Sequence, residues 1–134
     1  MSNLHNTNTI LAAKPKQAKE MIKHNLANST QWLLRGILAI YSRQTSDEKS
    51  AQMTKHHNEI GFNGLDSGIL SSFAEQIMRW EAMEPRFRKY DCPLSPKQLQ
   101  IAQKKMSKYA GQLLLIAMEK AGEAKENVLV AAAA

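Results

Sequence analysis

Cysteine is nearly absent: Cys92 is the single thiol in 134 residues. One thiol excludes an internal disulfide and every zinc site that needs two or more thiolates. A chain with one free thiol and no bridge suits a reducing cytosol. Aromatic residues are also scarce, at 6%, and seven Met outnumber three Phe. A core drawn from Leu, Ile, Ala and Met fits helices packed on helices better than a β-sandwich, which draws on Val, Thr and aromatics. Long apolar runs are missing as well. The most apolar stretch, Trp32 to Tyr41, is ten residues long and is interrupted by Arg35, whereas a spanning helix needs about 20. The opening residues lack the charged start and apolar centre of a signal peptide, so the protein is expected to stay where it is made.

What is present fits one domain. A chain of 134 residues, 43% hydrophobic, can bury one real core but not two. Residues 1–13 are polar and Asn-rich and read as a flexible N-terminus. Pro15 opens a helix through Ala18, Met21, Ile22 and Leu26, which Asn25 and Asn28 bring to an end. Asn28 or Ser29 caps the next helix, Thr30 to Arg43, whose apolar residues cover nearly the whole circumference; such a helix is buried and central. Gly36 in its middle allows a neighbour to approach closely. Thr45 or Ser46 caps a polar helix from Asp47 to about His57. Gly61 and Gly64, with Asn63 between them, mark a tight turn. Asp66 then caps a helix whose Ile69, Leu70, Phe73, Ile77 and Trp80 share one face.

After a loop from Pro85 to Pro93 comes the strongest local signal. Ser95 is an N-cap, Pro96 takes the first helical position, and Gln98 stands where a capping box wants Glu or Gln. Leu99, Ala102, Met106, Tyr109, Leu113 and Ile116 then recur at steps of three and four, and Gly122 reads as the stop. The expected fold is a single all-α bundle of four to five helices over residues 14–122, with a long C-terminal helix and a flexible tail at 123–134. Its expected core includes Trp32, Leu33, Ile37, Phe73, Ile77, Met106 and Leu113. No strand, internal repeat or interdomain linker is legible.

Charge is spread unevenly. The whole chain carries +6, and so does the segment Arg86 to Lys108 alone, with seven basic residues against one acid, Asp91. The remainder is neutral. Lys97, Lys104 and Lys108 fall almost in line on the last helix, opposite the apolar stripe, with Lys105 on the flank. Arg86, Arg88 and Lys89 sit on the preceding loop, interleaved with Phe87 and Tyr90. Arginine grips phosphate bidentately and aromatic rings stack on unpaired bases. These nine residues are the candidate nucleic-acid-binding set. The competing reading is a solvated helix face beside a loop that Phe87 and Tyr90 anchor to the core.

Other candidate sites fail on geometry. His56 and His57 are adjacent, point about 100° apart on a helix, and cannot share an ion with Glu59 as an i, i+4 pair can. Gly61, Gly64 and Gly68 lack the Lys-Ser or Lys-Thr of a phosphate-binding loop. Gly61-Phe62-Asn63-Gly64 is similar to the backbone-clamping loop of KH domains, but that fold needs a sheet. Cys92 stands between Asp and Pro with no specific activating partner. No Ser, His and acid fall into a catalytic pattern. The reading is a protein that is not an enzyme and carries neither metal nor cofactor.

Four stretches together resemble a known module: Asn58 to Asp66 (NEIGFNGLD), Leu70 to Gln76 (LSSFAEQ), Leu94 to Gln98 (LSPKQ) and Lys104 to Leu113 (KKMSKYAGQL). It is a small helical module that recurs in proteins of phages, plasmids and integrated mobile elements. Some of those proteins are free-standing; others are larger, helicase-type DNA-processing proteins. The similarity spans about residues 58–116. It implies a context, mobile-element DNA transactions in the cytoplasm of a bacterial host, and no catalytic role. The chain departs from the pattern in a charged insert, Met78 to Cys92, which carries Arg86, Arg88 and Lys89. Two functions follow as expectations. One is a phage or mobile-element accessory protein that binds nucleic acid through residues 86–108. The other is an inhibitor of a host defence complex, of anti-CRISPR or antirestriction type, acting by protein contact.

Overall fold

The computed structural model describes the backbone over residues 4–50 and 61–133 and the side chains over 4–45 and 61–123. Among the described residues six α-helical segments follow one another: α1 (Thr7–Ala12), α2 (Pro15–Asn28), α3 (Thr30–Ser50), α4 (Ser67–Ala82), α5 (Pro96–Met106) and α6 (Ala110–Ala133). The 3-10 turn Ser107–Tyr109 joins α5 to α6 without leaving helical backbone, so these two form one long C-terminal rod and the described residues make a bundle of five helices. Among the described residues there is no strand, and no helix is long and apolar enough to cross a membrane.

The centre belongs to α3, which touches α2, α4, α5 and α6. Leu33, Ile37 and Ile40 are fully buried on it, while Trp32 remains only partly covered. Gly36 explains how closely its neighbours come. A Cβ there would lie 3.3 Å from Met106 Cε and 3.4 Å from both Leu113 Cδ1 and Leu26 Cδ2. Leu70, Phe73, Ala74 and Ile77 of α4 close one side of the core, and Ala102, Met106, Tyr109 and Leu113 of the rod close another.

Three expectations change. Thr7–Ala12, read from the sequence as flexible, is a helix capped by Asn6, whose Oδ1 accepts from Thr9 N at 2.8 Å, and its Ile10 is buried. A buried Asn25 holds the chain just before it, accepting from His5 N at 2.9 Å and donating Nδ2 to His5 O at 2.8 Å. The pair of bonds satisfies both amide groups, as a buried polar side chain requires. Second, α3 does not stop near Arg43 for a new cap. It runs to Ser50, and Thr45 turns its hydroxyl back to donate to Tyr41 O and Ser42 O, a mid-helix habit of threonine. The rest of the expected polar helix, with His56, His57 and Glu59, lies outside the described residues. Third, α6 passes Gly122 and reaches Ala133. Gly122 does not take the positive φ that a glycine stop uses, and a helix tolerates one interior glycine at about 1 kcal/mol.

Candidate nucleic-acid interface

The basic segment is built on a well-determined start of α5. Ser95 Oγ accepts from Gln98 N at 3.1 Å, and Gln98 Oε1 accepts from Ser95 N at 2.9 Å, completing the expected capping box. Gln98 also pairs reciprocally with Gln76 of α4 at 2.9 and 3.2 Å, and Gln76 Nε2 donates to Pro93 O at 2.8 Å. The C-terminal end of the loop 83–95 is thereby fixed to α4.

Within that loop the basic residues divide by role. Arg88 lies 3.9 Å over the Trp80 ring, and its Nε and Nη2 donate to Trp80 O and Glu81 O at 3.0 and 3.1 Å. It therefore adds donors to the last carbonyls of α4, one of which, Trp80 O, also accepts from Met83 N at 3.2 Å, at a helix end where a cation is favoured. Trp80 Nε1 completes the clamp by donating to Tyr90 O at 3.0 Å. Arg86 meets Glu84 at 2.8 Å and stands 4.7 Å over the Phe87 ring, while Lys89 stands 5.7 Å from the Tyr90 ring. Phe87 and Tyr90 do not anchor the loop: they are 64% and 68% exposed.

On the rod, Lys97 and Lys104 are exposed and have no ion-pair partner among the described residues. Lys105 and Lys108 are committed elsewhere. Their ammonium groups bind the two oxygens of a buried Asp66 at 3.1 and 2.7 Å, and Tyr109 Oη–H donates to the same carboxylate at 2.8 Å. Lys105 and Lys108 are three apart and hence neighbours on one side of the rod, and the Ser107–Tyr109 turn aligns them further. A 3-10 step rotates about 120° instead of 100°, which swings Lys108 away from the Lys97–Lys104 line and toward the side of Lys105.

Asp66 thus overturns a local reading. It occupies the N-cap position of α4, but its side chain makes no cap bond. The first turn is served by Asn63, whose Oδ1 accepts from Asp66 N at 2.9 Å and whose carbonyl accepts from Ser67 N at 2.8 Å. The hydrogen bond from Lys108 is the main reason the Asp66 carboxyl sits at about 2, with Tyr109 and Lys105 adding to it against the opposing effect of burial. Burial pushes the Tyr109 phenol up to about 12, and the neighbouring carboxylate adds to the rise. The turn itself is pinned by Gln112, which binds Gly61 N and O at 2.9 Å each, and by Gln44 Oε1, which accepts from Phe62 N at 2.9 Å. Gly61 has φ +92°, and a Cβ would lie 2.7 Å from Gln44 Cβ.

The residues that remain open to a ligand are Phe87, Lys89, Tyr90, Lys97 and Lys104, together with Arg86, whose pair with Glu84 lies fully at the surface. Arg88, Lys105 and Lys108 hold the fold around them. Asp66 was absent from the candidate set because its partners are 39 and 42 positions away in the chain. Among the described residues no three of His, Cys, Asp and Glu gather into a metal-binding group, and Cys92 is partly buried. A scan against protein-family models and searches of curated proteins and of solved structures give no match to this chain.

Proposed function

We propose that this protein is a non-catalytic accessory protein of a phage or other mobile element, acting in the cytoplasm of a bacterial host by holding nucleic acid through loop 86–90 and the open side of α5. One observation carries the reading: Phe87 and Tyr90 are exposed, each with its own cation, on a loop that Gln76 and Trp80 tie back to α4. Large exposed rings lose water favourably when they stack on bases, and a ring–cation pair serves base and phosphate together. Lys97 and Lys104, roughly 10 Å apart along the helix axis, extend the positive surface. Contacts of this kind favour single strands, whose bases are free to stack, and confer little choice of sequence.

The test is a fluorescence-anisotropy titration with single-stranded and duplex oligonucleotides at two salt concentrations. Lys97 and Lys104 changed together to Gln should weaken binding to all sequences alike and flatten the salt dependence by up to about two units of slope. Phe87 and Tyr90 changed to Ala should weaken single-stranded ligands by about 1–3 kcal/mol for each stacked base and duplex much less. Wild-type protein that shows no salt-sensitive binding to any oligonucleotide would refute the proposal. The same exposed rings would then favour the second reading, an inhibitor that inserts them into a host defence protein, since aromatic and Arg side chains dominate such contacts.

A further inference from the structure

Helices α1, α3 and α6 border a cleft of about 660 Å³ that shares no residue with the basic segment. Its size falls within the range of small-molecule sites, roughly 300–1,000 Å³. Trp32 and Ala39 of α3 and Leu113, Ile116 and Ala117 of α6 give it an apolar floor, in which Leu113 and Ile116 are buried. Arg35 and Lys120 stand exposed above that floor, one on each long helix. Helical spacing puts them there: Arg35 follows Trp32 by three and precedes Ala39 by four, while Lys120 follows Ile116 and Leu113 by four and seven.

The charge of the cleft is one-sided. No acidic residue lines it, and Glu119, adjacent in sequence to Lys120, is engaged by Arg43. Neither Arg35 nor Lys120 has an ion-pair partner among the described residues. A neutral apolar ligand would leave both cations unanswered, and an amphipathic cation would meet them head-on. An anionic head with an aliphatic body satisfies the rim and the floor together, and the planar fork of a guanidinium matches a carboxylate.

We propose that this cleft binds a single-chain amphipathic carboxylate of the fatty-acid class, with its head between Arg35 and Lys120 and its chain along Trp32, Leu113 and Ile116. The site is separate from the proposed nucleic-acid surface and stands or falls independently of it.

Isothermal titration calorimetry of the wild-type protein with dodecanoate below its micellar concentration should show saturable binding of one molecule per chain. Decanoate should bind more weakly, by roughly fourfold for each methylene lost from the apolar floor. Arg35→Gln with Lys120→Gln should weaken dodecanoate about tenfold or more without moving the melting temperature, because both side chains are exposed. Ala117→Phe, which fills the cleft, should abolish binding. In a Trp80→Phe chain, where Trp32 is the only indole, dodecanoate should change the emission. Absence of saturable heat would overturn the proposal. So would dodecyltrimethylammonium binding as tightly as dodecanoate, or the Arg35/Lys120 variant binding like wild type, since either result leaves only nonspecific apolar adsorption. Saturable heat with a silent Trp32 would place the ligand elsewhere and would equally refute this site.

Discussion

Replacing Asp66 by Asn removes one charge and almost no volume at a carboxylate that is 2% exposed and serves two lysines and a tyrosine. The amide keeps one acceptor oxygen but turns an N–H donor toward a lysine that is itself a donor. The carboxyl falls from 3.8 to about 2 in the folded chain, which by linkage corresponds to at most about 2.5 kcal/mol. Lys105 and Lys108 keep 33% and 48% of their side-chain exposure, so water screens the cluster from their side. The expected loss at neutral pH is then about 1–2 kcal/mol, or about 4–8 °C in melting temperature for a chain of this size. Its pH dependence identifies the cause. The folded-state value lies below the unfolded one, so the stabilisation is complete above about pH 5 and fades as the pH falls from about 4 toward 2. Thermal melts of wild type and Asp66→Asn at pH 7, 4 and 2.5 should show a gap that narrows in that order. Equal stability at pH 7 would refute the reasoning, and so would a gap of the same size at pH 2.5, which would trace the loss to packing instead of charge.

Other outcomes are expected of the same elements. Tyr109 should titrate near pH 12; its folded-state value is raised, so its share of stability is present below about pH 10 and disappears as the pH rises through 12. Absorbance of the phenolates, compared with a Tyr109→Phe chain, checks this. Gly61→Ala should cost about 1–3 kcal/mol in urea melts, because φ +92° is strained for any side chain and the new Cβ would meet Gln44. Ser95→Ala should cost about 1 kcal/mol, and Ser95→Asp should restore most of it, since either oxygen can accept from Gln98 N. Equal melts for Ser95→Ala and wild type would mean that the cap contributes nothing to holding the rod.

How much was legible depends on how far along the chain the determining partner lies. The start of α5 could be read directly, because Ser95, Pro96 and Gln98 complete a motif within four residues. The apolar stripes of α4 and the rod were equally readable. Each follows the helical repeat, and burying one face of a helix is a local property of the pattern. The single cysteine and the short apolar run likewise specify a helical core with no covalent staple.

Tertiary contacts decided the rest. Thr45 carries the residue type of a cap, yet packing continues α3 through it and the hydroxyl returns to its own helix. Ile10 looks like an isolated apolar residue in a polar stretch until α2 and α6 cover it. The basic segment shows the difference most clearly. Its net charge is a sum over neighbours in sequence, but the field it presents depends on neighbours in space. Asp66 reaches it from across a turn and takes Lys105 and Lys108, and Trp80 takes Arg88. Composition and local pattern along the chain therefore determined that this is a basic helical bundle. Only the folded arrangement determined which of its cations hold the structure together and which remain available to a ligand, because a charge is answered by whatever the fold brings within a few ångströms, at any distance along the chain.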